Sequence, residues 1–358
     1  MAYTTIDNPE LYFQCKNYTG NGTDDTSITL DGSEDMAIAF SWIKNRNTET
    51  KSHQLVDTAR GFNKYVFADT NQLEQTQTDR LKAWTSDGFT LGDHATVNQN
   101  TINYASWHWK GGTTSGITTN GSTNVTPSAY TFNQTSKFSA LKYAGNGNTD
   151  NQVAHGIGSK PDFMMVKNLD GSINSWAVFH KSPGNEKYFE LDVANAMADG
   201  VNRWQDTDPD TVNFTTGNSD TVNNSSYDYI CYAWSEVQGY SKFGTYTGQA
   251  GTGTSGPFVY LGFRPSMVLI KNQSSGSWLL FDNKRASTGN VAEGDTGVNS
   301  YLEPNTSGTE QGDNPIIFLS NGFQCHDSLT NASGATYIYA SWAESPFCNS
   351  SGVPNNAR

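Results

Sequence analysis

The chain has 358 residues, a formal net charge of -13, 12% aromatic residues, 16% charged residues and 34 glycines. The negative charge argues against a protein that binds nucleic acid or anionic membranes through a basic face, and no apolar run approaches the roughly 20 residues of a membrane-spanning helix. Few charges, many aromatic and small polar residues and no clear amphipathic helix are together typical of an all-β protein.

One strand motif occurs three times along the chain. Each copy has four apolar or small residues followed by Lys-Asn, at Phe40–Asn45, Phe163–Asn168 and Met267–Asn272. This pattern predicts a buried strand that leads into a polar turn, with Lys44, Lys167 and Lys271 at the strand ends. A second strand follows each turn and completes a hairpin. The copies are about a hundred residues apart, which is the size of one β-sandwich and larger than a solenoid repeat or propeller blade.

The recurring elements predict three tandem homologous β-sandwich domains, jelly-roll or lectin-like in style. The predicted segments are a first sandwich with an N-terminal leader at 1–112, a linker at 113–137, a second sandwich at 138–237, a third at 238–348 and a C-terminal tail at 349–358. The linker is rich in Gly, Ser and Thr, so we expect the linker and the tail to be the most mobile parts. The short join at Val237–Tyr240 predicts that the second and third domains pack against each other.

The N-terminus and the cysteines indicate a chain without processing or cross-links. Met1–Glu10 contains no basic region followed by an apolar stretch, which predicts no secretion signal and a mature protein that begins at or near Met1. The four cysteines lie far apart without a CxxC pair, so we expect reduced thiols rather than a zinc site or a disulfide framework.

The sequence offers no strong catalytic or metal-binding motif. The acidic run Asp206–Asp210 resembles a calcium loop but lacks the later glycine and acidic ligand, which favours a solvated turn. The histidines have no zinc-binding spacing, and neither a Gly-x-Ser-x-Gly elbow nor a P-loop occurs. Glu236 and Glu344 occupy matching positions where the first copy has Trp109, which favours structural recurrence over a pair of glycosidase carboxylates. We therefore predict a protein that is not an enzyme and that needs no cofactor or metal.

The tryptophans fall into recurring and unique positions. We align Trp107 with Trp234 and Trp342, and Trp176 with Trp278, and such recurrence favours packing in the core. The unique tryptophans are the candidates for stacking on a glycan or for contact with a partner, and they are Trp84, Trp109 and Trp204. Burial is the alternative for these three, because aromatic side chains are usually buried.

Several phrases together resemble a known protein family. They are the leader, the turn Tyr18–Gly22, the strand Trp42–Arg46, the turn Thr85–Thr90, and the segments Gly112–Gly121, Val153–Gly158 and Gly262–Pro265. In number and order they resemble virion structural proteins of tailed bacteriophages, especially marine and cyanobacterial phages, which are often described as tail-fibre or host-adsorption proteins. The resemblance extends from Met1 to about Pro346.

The resemblance implies a non-catalytic structural component of a phage virion, such as a tail fibre or adaptor involved in host adsorption. The alternatives are a capsid-surface decoration protein and a glycan-binding module or polysaccharide depolymerase. The expected partners are other virion proteins of the tail or capsid, further copies of the chain in a homo-oligomer, for which family analogy suggests a trimer, and a host-surface glycan. We expect neither nucleic-acid binding nor membrane insertion. The implied location is the virion, an extracellular particle assembled in the host cytoplasm.

Overall fold

The computed structural model describes residues 3–250, 256–285 and 297–354, and it confirms the all-β class. Among these residues the helical elements are short: a 3₁₀ turn at Pro9–Leu11 and the single-turn helices α1 (Ala95–Asn98), α2 (Val201–Trp204) and α3 (Ser328–Asn331). No helix in this part of the chain has the length and apolar character needed to cross a membrane.

The first repeat forms two antiparallel sheets. Its strands are β1 (Phe13–Thr19), β2 (Thr26–Thr29), β3 (Ile38–Asn45), β4 (Gln54–Asp57), β5 (Lys64–Phe67), β6 (Gln75–Thr76), β7 (Leu81–Thr85), β8 (Gly88–Leu91) and β9 (Asn103–Lys110). The larger sheet has the order β1-β9-β3-β4-β5-β6, and the smaller sheet has the order β2-β8-β7.

The second repeat has the same plan with an additional strand at one edge. Its strands are β10 (Ala129–Asn133), β11 (Phe138–Ala144), β12 (Asn151–Ala154), β13 (Phe163–Asn168), β14 (Ala177–His180), β15 (Lys187–Tyr188), β16 (Ala198–Asp199), β17 (Asn213–Thr216) and β18 (Asp228–Trp234). The larger sheet is β10-β11-β18-β13-β14, and β12 pairs with β17. β15 and β16 form a separate two-stranded ribbon.

The third repeat again divides into two sheets. Its strands are β19 (Ser241–Thr247), β20 (Phe258–Tyr260), β21 (Phe263–Asn272), β22 (Trp278–Asp282), β23 (Gly297–Tyr301), β24 (Gln311–Leu319), β25 (Gly322–Cys325) and β26 (Thr336–Pro346). Their orders are β19-β26-β21-β22 and β20-β25-β24-β23. In every repeat the Lys-Asn strand therefore lies between the last strand of the repeat and its hairpin partner.

Both faces of these central strands are buried, as predicted for the apolar positions of the motif. All eight residues of β3 and all six of β13 are buried. One face of each larger sheet packs on the smaller sheet of its own repeat, which gives each repeat a separate apolar cluster. The opposite faces of the three larger sheets meet in one shared cluster, which contains Trp42, Trp107 and Trp278 among others. The repeats are thus joined by a common core.

Strand pairing corrects the predicted alignment of the tryptophans. Asn45 pairs with Tyr104, Asn168 with Tyr229 and Asn272 with Tyr337, so these tyrosines correspond to one another. Counting from them, Trp109 corresponds to Trp234 and Trp342, and the predicted assignment of Trp107 to this set was wrong by two residues. β9 contains a Trp-His-Trp sequence, and the choice between its two tryptophans depends on the pairing register. Likewise, the counterpart of Glu236 and Glu344 is Gly111 rather than Trp109.

The segments between and before the repeats are partly built into the sheets. β10 lies within the predicted linker 113–137 and pairs with β11, while Val125 forms a parallel bridge to Val153. The leader packs Ile6 into the shared core. The predicted domain boundaries stay predictions, and residues 355–358 of the predicted tail lie outside the described residues. All four cysteines are unpaired, and Cys231 is buried in β18.

Candidate binding surface

The lysines of the recurring motif lie at contacts between repeats. All three side chains are buried, and each Nζ donates a hydrogen bond to a carbonyl oxygen of its own turn. Each also reaches a carbonyl of another repeat: Lys44 donates to Ser307 at 3.2 Å, Lys167 to Asn71 at 3.1 Å and Lys271 to Ala194 at 3.4 Å. The first repeat thus contacts the third, the third contacts the second and the second contacts the first, which closes a ring of three.

Burial changes the acid–base properties of these lysines. Desolvation lowers the pKa of Lys44, Lys167 and Lys271 to about 8 in each case. A lowered lysine pKa can indicate a catalytic amine, but it also arises wherever an ammonium group is taken out of water. Because all three lysines are buried and bonded to backbone carbonyls at equivalent places, we assign them a structural role.

A second set of contacts follows the same cyclic order. Trp278 pairs with Lys271, and continuing the register of the other two hairpins by one residue gives His53 and Trp176 as its counterparts. Each bonds to a carbonyl of another repeat: His53 to Glu303 at 3.1 Å, Trp176 to Phe67 at 2.8 Å and Trp278 to Glu190 at 2.8 Å. His53 accepts a hydrogen bond from Trp42 at Nδ1, 2.9 Å away, and burial holds its pKa well below 6.5. The neutral ring therefore donates through Nε2, as an indole would.

Two of the repeats carry a buried ion-pair network at the strand end. In the first, Arg60 binds Asp57 at 2.6 Å and Glu74 at 3.2 Å. In the third, Arg285 binds Asp282 at 2.6 Å and Glu310 at 3.2 Å. Each aspartate also accepts a hydrogen bond from another repeat: Asp57 from the Tyr232 hydroxyl at 2.7 Å, and Asp282 from Trp107 Nε1 at 3.0 Å. These carboxylates are fully engaged within the molecule.

The second repeat replaces this network with a neutral set. Strand pairing puts His180 at the position of Asp57 and Asp282, and its Nε2 contacts the Tyr339 carbonyl at 3.1 Å. Pro183 stands at the arginine position. Met197 stands at the position of Glu74 and Glu310, because the backbone amides of all three donate to equivalent carbonyls of a neighbouring repeat. The charged residues of the network are therefore absent as a group from this repeat.

The structure places two of the three predicted contact tryptophans in the interior. Trp109 and Trp204 are each 1% exposed, which is the alternative of burial, so neither is available for stacking on a glycan or for contact with a partner at the surface. Trp109 joins Trp234 and Trp342 in a central trio whose ring centroids are 5.2 to 5.7 Å apart. Trp204 ends α2 and packs edge-on against Phe179. Trp84 is half-buried, and its Nε1 donates to Ser41 at 3.3 Å.

The acidic residues considered for chemistry are occupied by local contacts. Asp210 accepts hydrogen bonds from the amides of Val212 at 2.6 Å and Asn213 at 2.7 Å, which is the geometry of a turn. Glu236 pairs with Lys181, and Glu344 pairs with Arg264. Within the described ranges, no group of three or more His, Cys, Asp and Glu side chains is arranged to hold a metal ion.

An exposed aromatic strand distinguishes the third repeat from the other two. Phe258 is 47% exposed and Tyr260 is 48% exposed on β20. The pairing registers assign the same two positions to Ser27 and Thr29 in the first repeat, and to Gln152 and Ala154 in the second. The fold therefore does not require aromatic side chains at these positions.

Two further residues complete this surface. Lys242 donates to the Tyr260 carbonyl at 2.8 Å and holds its Nζ 5.1 Å from the centre of the Tyr260 ring, while the Tyr3 hydroxyl lies 3.2 Å from that of Tyr260. We call Phe258, Tyr260, Tyr3 and Lys242 the aromatic edge. Sequence reasoning missed it because only tryptophans were considered as exposed contact residues. The signal was present, since Phe-Val-Tyr stands where the first repeat has Ser-Ile-Thr.

Comparison with known proteins identifies one matching family. A family model described as a domain of unknown function, DUF7483, matches residues 8–346. The matched range includes the strands of all three repeats. No curated protein matches the chain.

Proposed function

The chain belongs to the DUF7483 family. We propose, as its sequence resemblance to virion proteins implies, that it is a non-catalytic structural component of a phage virion, namely a tail fibre or adaptor that takes part in host adsorption. The observation that carries the proposal is the use of the recurring polar residues. The motif lysines, the Asp-Arg-Glu networks and the indole and imidazole donors all hold one repeat against another. The outer surface, including the aromatic edge, is then what remains for contact with partners.

One cleft on the described surface lacks the groups that a catalytic site needs. A cleft of about 210 Å³ is lined by Thr118, Gly156, Gly158, Thr211 and Val212. Small-molecule sites usually enclose about 300–1,000 Å³ and combine apolar walls with a few convergent polar groups. This cleft is smaller, and none of its lining side chains can act as an acid or base near neutral pH.

The packing of three repeats around a shared core is suited to a component of a particle that leaves the cell. Contacts that bury both faces of each larger sheet slow local opening, which matters for a protein that must persist outside the cell without chaperones. Several copies on one particle would also let weak individual contacts add up through avidity. Both points support an adsorption role at the level of the whole particle.

The test is to locate the protein in purified particles. Quantitative mass spectrometry should find it at a constant number of copies per particle, and gold-labelled antibodies viewed by electron microscopy should mark the tail. Label on the capsid would instead favour the decoration alternative. If infected cells contain the protein and purified particles do not, the virion proposal fails.

The non-catalytic part of the proposal has its own assay. The purified chain, incubated with host-surface polysaccharide, should release no new reducing ends above a heat-denatured control. Release that saturates with polysaccharide concentration would identify a depolymerase and contradict the proposal.

A further inference from the structure

The aromatic edge includes backbone groups that are open for pairing. β20 is the terminal strand of its sheet, and its ladder to β25 extends through the bonds of Cys325 N to Pro257 O at 3.0 Å and Leu261 N to Asn321 O at 2.9 Å. Hydrogen-bonded and non-hydrogen-bonded residues alternate in an antiparallel pair, so Phe258 and Tyr260 point their backbone groups away from β25. Lys242 binds the Tyr260 carbonyl. No donor or acceptor within the described residues pairs with the Phe258 amide, the Phe258 carbonyl or the Tyr260 amide.

In the second repeat the same three groups are occupied. Gln152 and Ala154 of β12 correspond to Phe258 and Tyr260. The Gln152 carbonyl accepts from the amides of Asn124 at 2.9 Å and Val125 at 3.0 Å, the Ala154 amide donates to the Val125 carbonyl at 3.1 Å, and the Gln152 amide donates to the Asn124 side chain at 2.8 Å. The segment of Asn124 and Val125 thus adds to the sheet in parallel to β12.

The first repeat shows a protected version of this edge. β2 also ends its sheet, and its outward residues Ser27 and Thr29 are exposed and polar. Proteins usually cover a terminal strand or give it polar and charged side chains, because open backbone groups next to apolar side chains pair with other chains. Within the part of the chain that the structure describes, β20 has neither protection apart from Lys242. Of the three equivalent edges, it is the one built to receive a partner.

We propose that the open edge of β20 binds an extended segment of a partner polypeptide, which adds to the sheet as a parallel strand in the way that Asn124 and Val125 add to β12. The partner's backbone would bond to the Phe258 amide and carbonyl and to the Tyr260 amide. Its outward side chains would pack on the two aromatic rings, which favours β-branched or apolar residues and excludes proline at the paired positions. The proposal goes beyond the virion assignment and does not rest on it.

The test uses the whole chain and a display library of ten-residue peptides. Peptides selected on the wild-type protein should bind about tenfold more weakly to the variant Phe258→Ser/Tyr260→Thr, which carries the residues of the first repeat, because the lost aromatic packing contributes about 1.4 kcal/mol, which equals a tenfold change in Kd. Binding should also slow hydrogen exchange at the amides of residues 258 and 260. The matched control, Ser27→Ala/Thr29→Ala on β2, should leave peptide binding unchanged.

A pair of variants separates backbone pairing from side-chain packing. Tyr260→Thr and Tyr260→Pro both remove the ring, but only Tyr260→Pro also removes the amide donor, and edge strands accept proline. Circular dichroism of both variants should match the wild type, and selected peptides should bind Tyr260→Pro more weakly than Tyr260→Thr. Dimerisation that depends on concentration and disappears in Phe258→Ser/Tyr260→Thr would support the proposal and identify a second copy of the chain as the source of the strand. If no peptide is enriched, or if selected peptides bind all variants equally without protecting the two amides, the proposal is wrong.

Discussion

Side chains that face the shared core compensate one another in volume across neighbouring strands. The corresponding pairs are Cys15 with Trp107, Ala140 with Tyr232, and Phe243 with Ala340. Each pair combines one large aromatic side chain with one small residue, so the volume at this level of the core is similar in all three repeats although the side chains differ. Ala340 also accounts for His180. Trp107 and Tyr232 donate hydrogen bonds to aspartates of other repeats, but Ala340, at the equivalent position, has no side-chain donor. A histidine stands in place of the aspartate there and binds the Tyr339 carbonyl instead.

The buried ion pairs make a quantitative prediction for Arg60. Replacing it with methionine leaves Asp57 buried without its cation, and breaking a buried pair in this way costs about 3–5 kcal/mol of unfolding free energy. Guanidinium chloride denaturation at pH 7 measures the loss. The matched control is Arg264→Met, which breaks the more exposed pair with Glu344 and should cost about 0–1 kcal/mol. Equal losses in the two variants would show that burial of the Asp57 network does not stabilise the fold.

Buried histidines predict a loss of stability in mild acid. Burial lowers the pKa of His108 to about 3 and that of His155 and His180 to about 4. The unfolded chain binds these protons near pH 6.5, whereas the folded chain resists them, so their contribution is complete above pH 6.5 and is lost as the pH falls towards 4. Each histidine with a pKa of about 4 accounts for a loss of about 3 kcal/mol over that range.

His180→Gln tests this linkage, because its amide nitrogen can take the place of Nε2 and donate to the Tyr339 carbonyl but cannot be protonated. The unfolding free energy should be measured by urea denaturation at several values between pH 7 and pH 5. Its slope against pH should decrease by up to one proton, or about 1.4 kcal/mol per pH unit. An unchanged slope would mean that His180 does not titrate differently in the folded and unfolded chains.

The positions of the central strands could be predicted from the sequence, whereas the long-range pairing between strands could not. The strands β3, β13 and β21 and their hairpin partners are recognised from local apolar runs, because a strand buried on both faces needs a continuous apolar sequence. Trp109 could not be assigned in this way, since β9 contains two tryptophans and only pairing with β3 selects the one that joins the central trio. Trp204 is buried because α2 folds back over the second repeat, which no local pattern encodes.

The N-terminal leader joins elements that are distant in sequence. Ile6 is buried in the shared core, the Thr4 hydroxyl donates to the Gln238 carbonyl at 2.7 Å, and the Tyr3 hydroxyl donates to the Gly262 carbonyl at 2.8 Å. Deleting residues 1–7 should therefore lower the unfolding free energy by about 2–4 kcal/mol, since one buried isoleucine side chain and several hydrogen bonds are lost.

Chemical denaturation of the deletion variant measures this effect. The control is Asp7→Asn, which alters only an exposed contact with Ser350 and should change the stability by no more than about 0.5 kcal/mol. A deletion variant with the wild-type midpoint would show that the leader is not part of the stable fold.

For the whole molecule, the contacts between repeats form a closed cycle. Arg46 of the first repeat makes two hydrogen bonds of 2.8 Å to Glu310 of the third, and the lysine and indole contacts join the remaining pairs. Every repeat therefore has two neighbours within one chain. The expected homo-oligomer stays a prediction, and any such assembly would use surfaces outside this cycle, of which the open edge of β20 is one.

The closed cycle predicts a single unfolding transition for all 358 residues. Chains of several independent domains usually unfold in separate steps, and two-state behaviour is typical of domains below about 150 residues. Here the removal of one repeat would expose the inner faces of the other two, so no repeat can unfold alone without opening the shared core. Differential scanning calorimetry should give equal calorimetric and van't Hoff enthalpies for the whole chain.

A fragment of residues 1–112 should fail to unfold cooperatively because Phe40, Trp42 and Trp109 would face water. Three separate transitions, or a fragment that is folded and monomeric, would instead show that each repeat is stabilised by its own core and that the shared core contributes little.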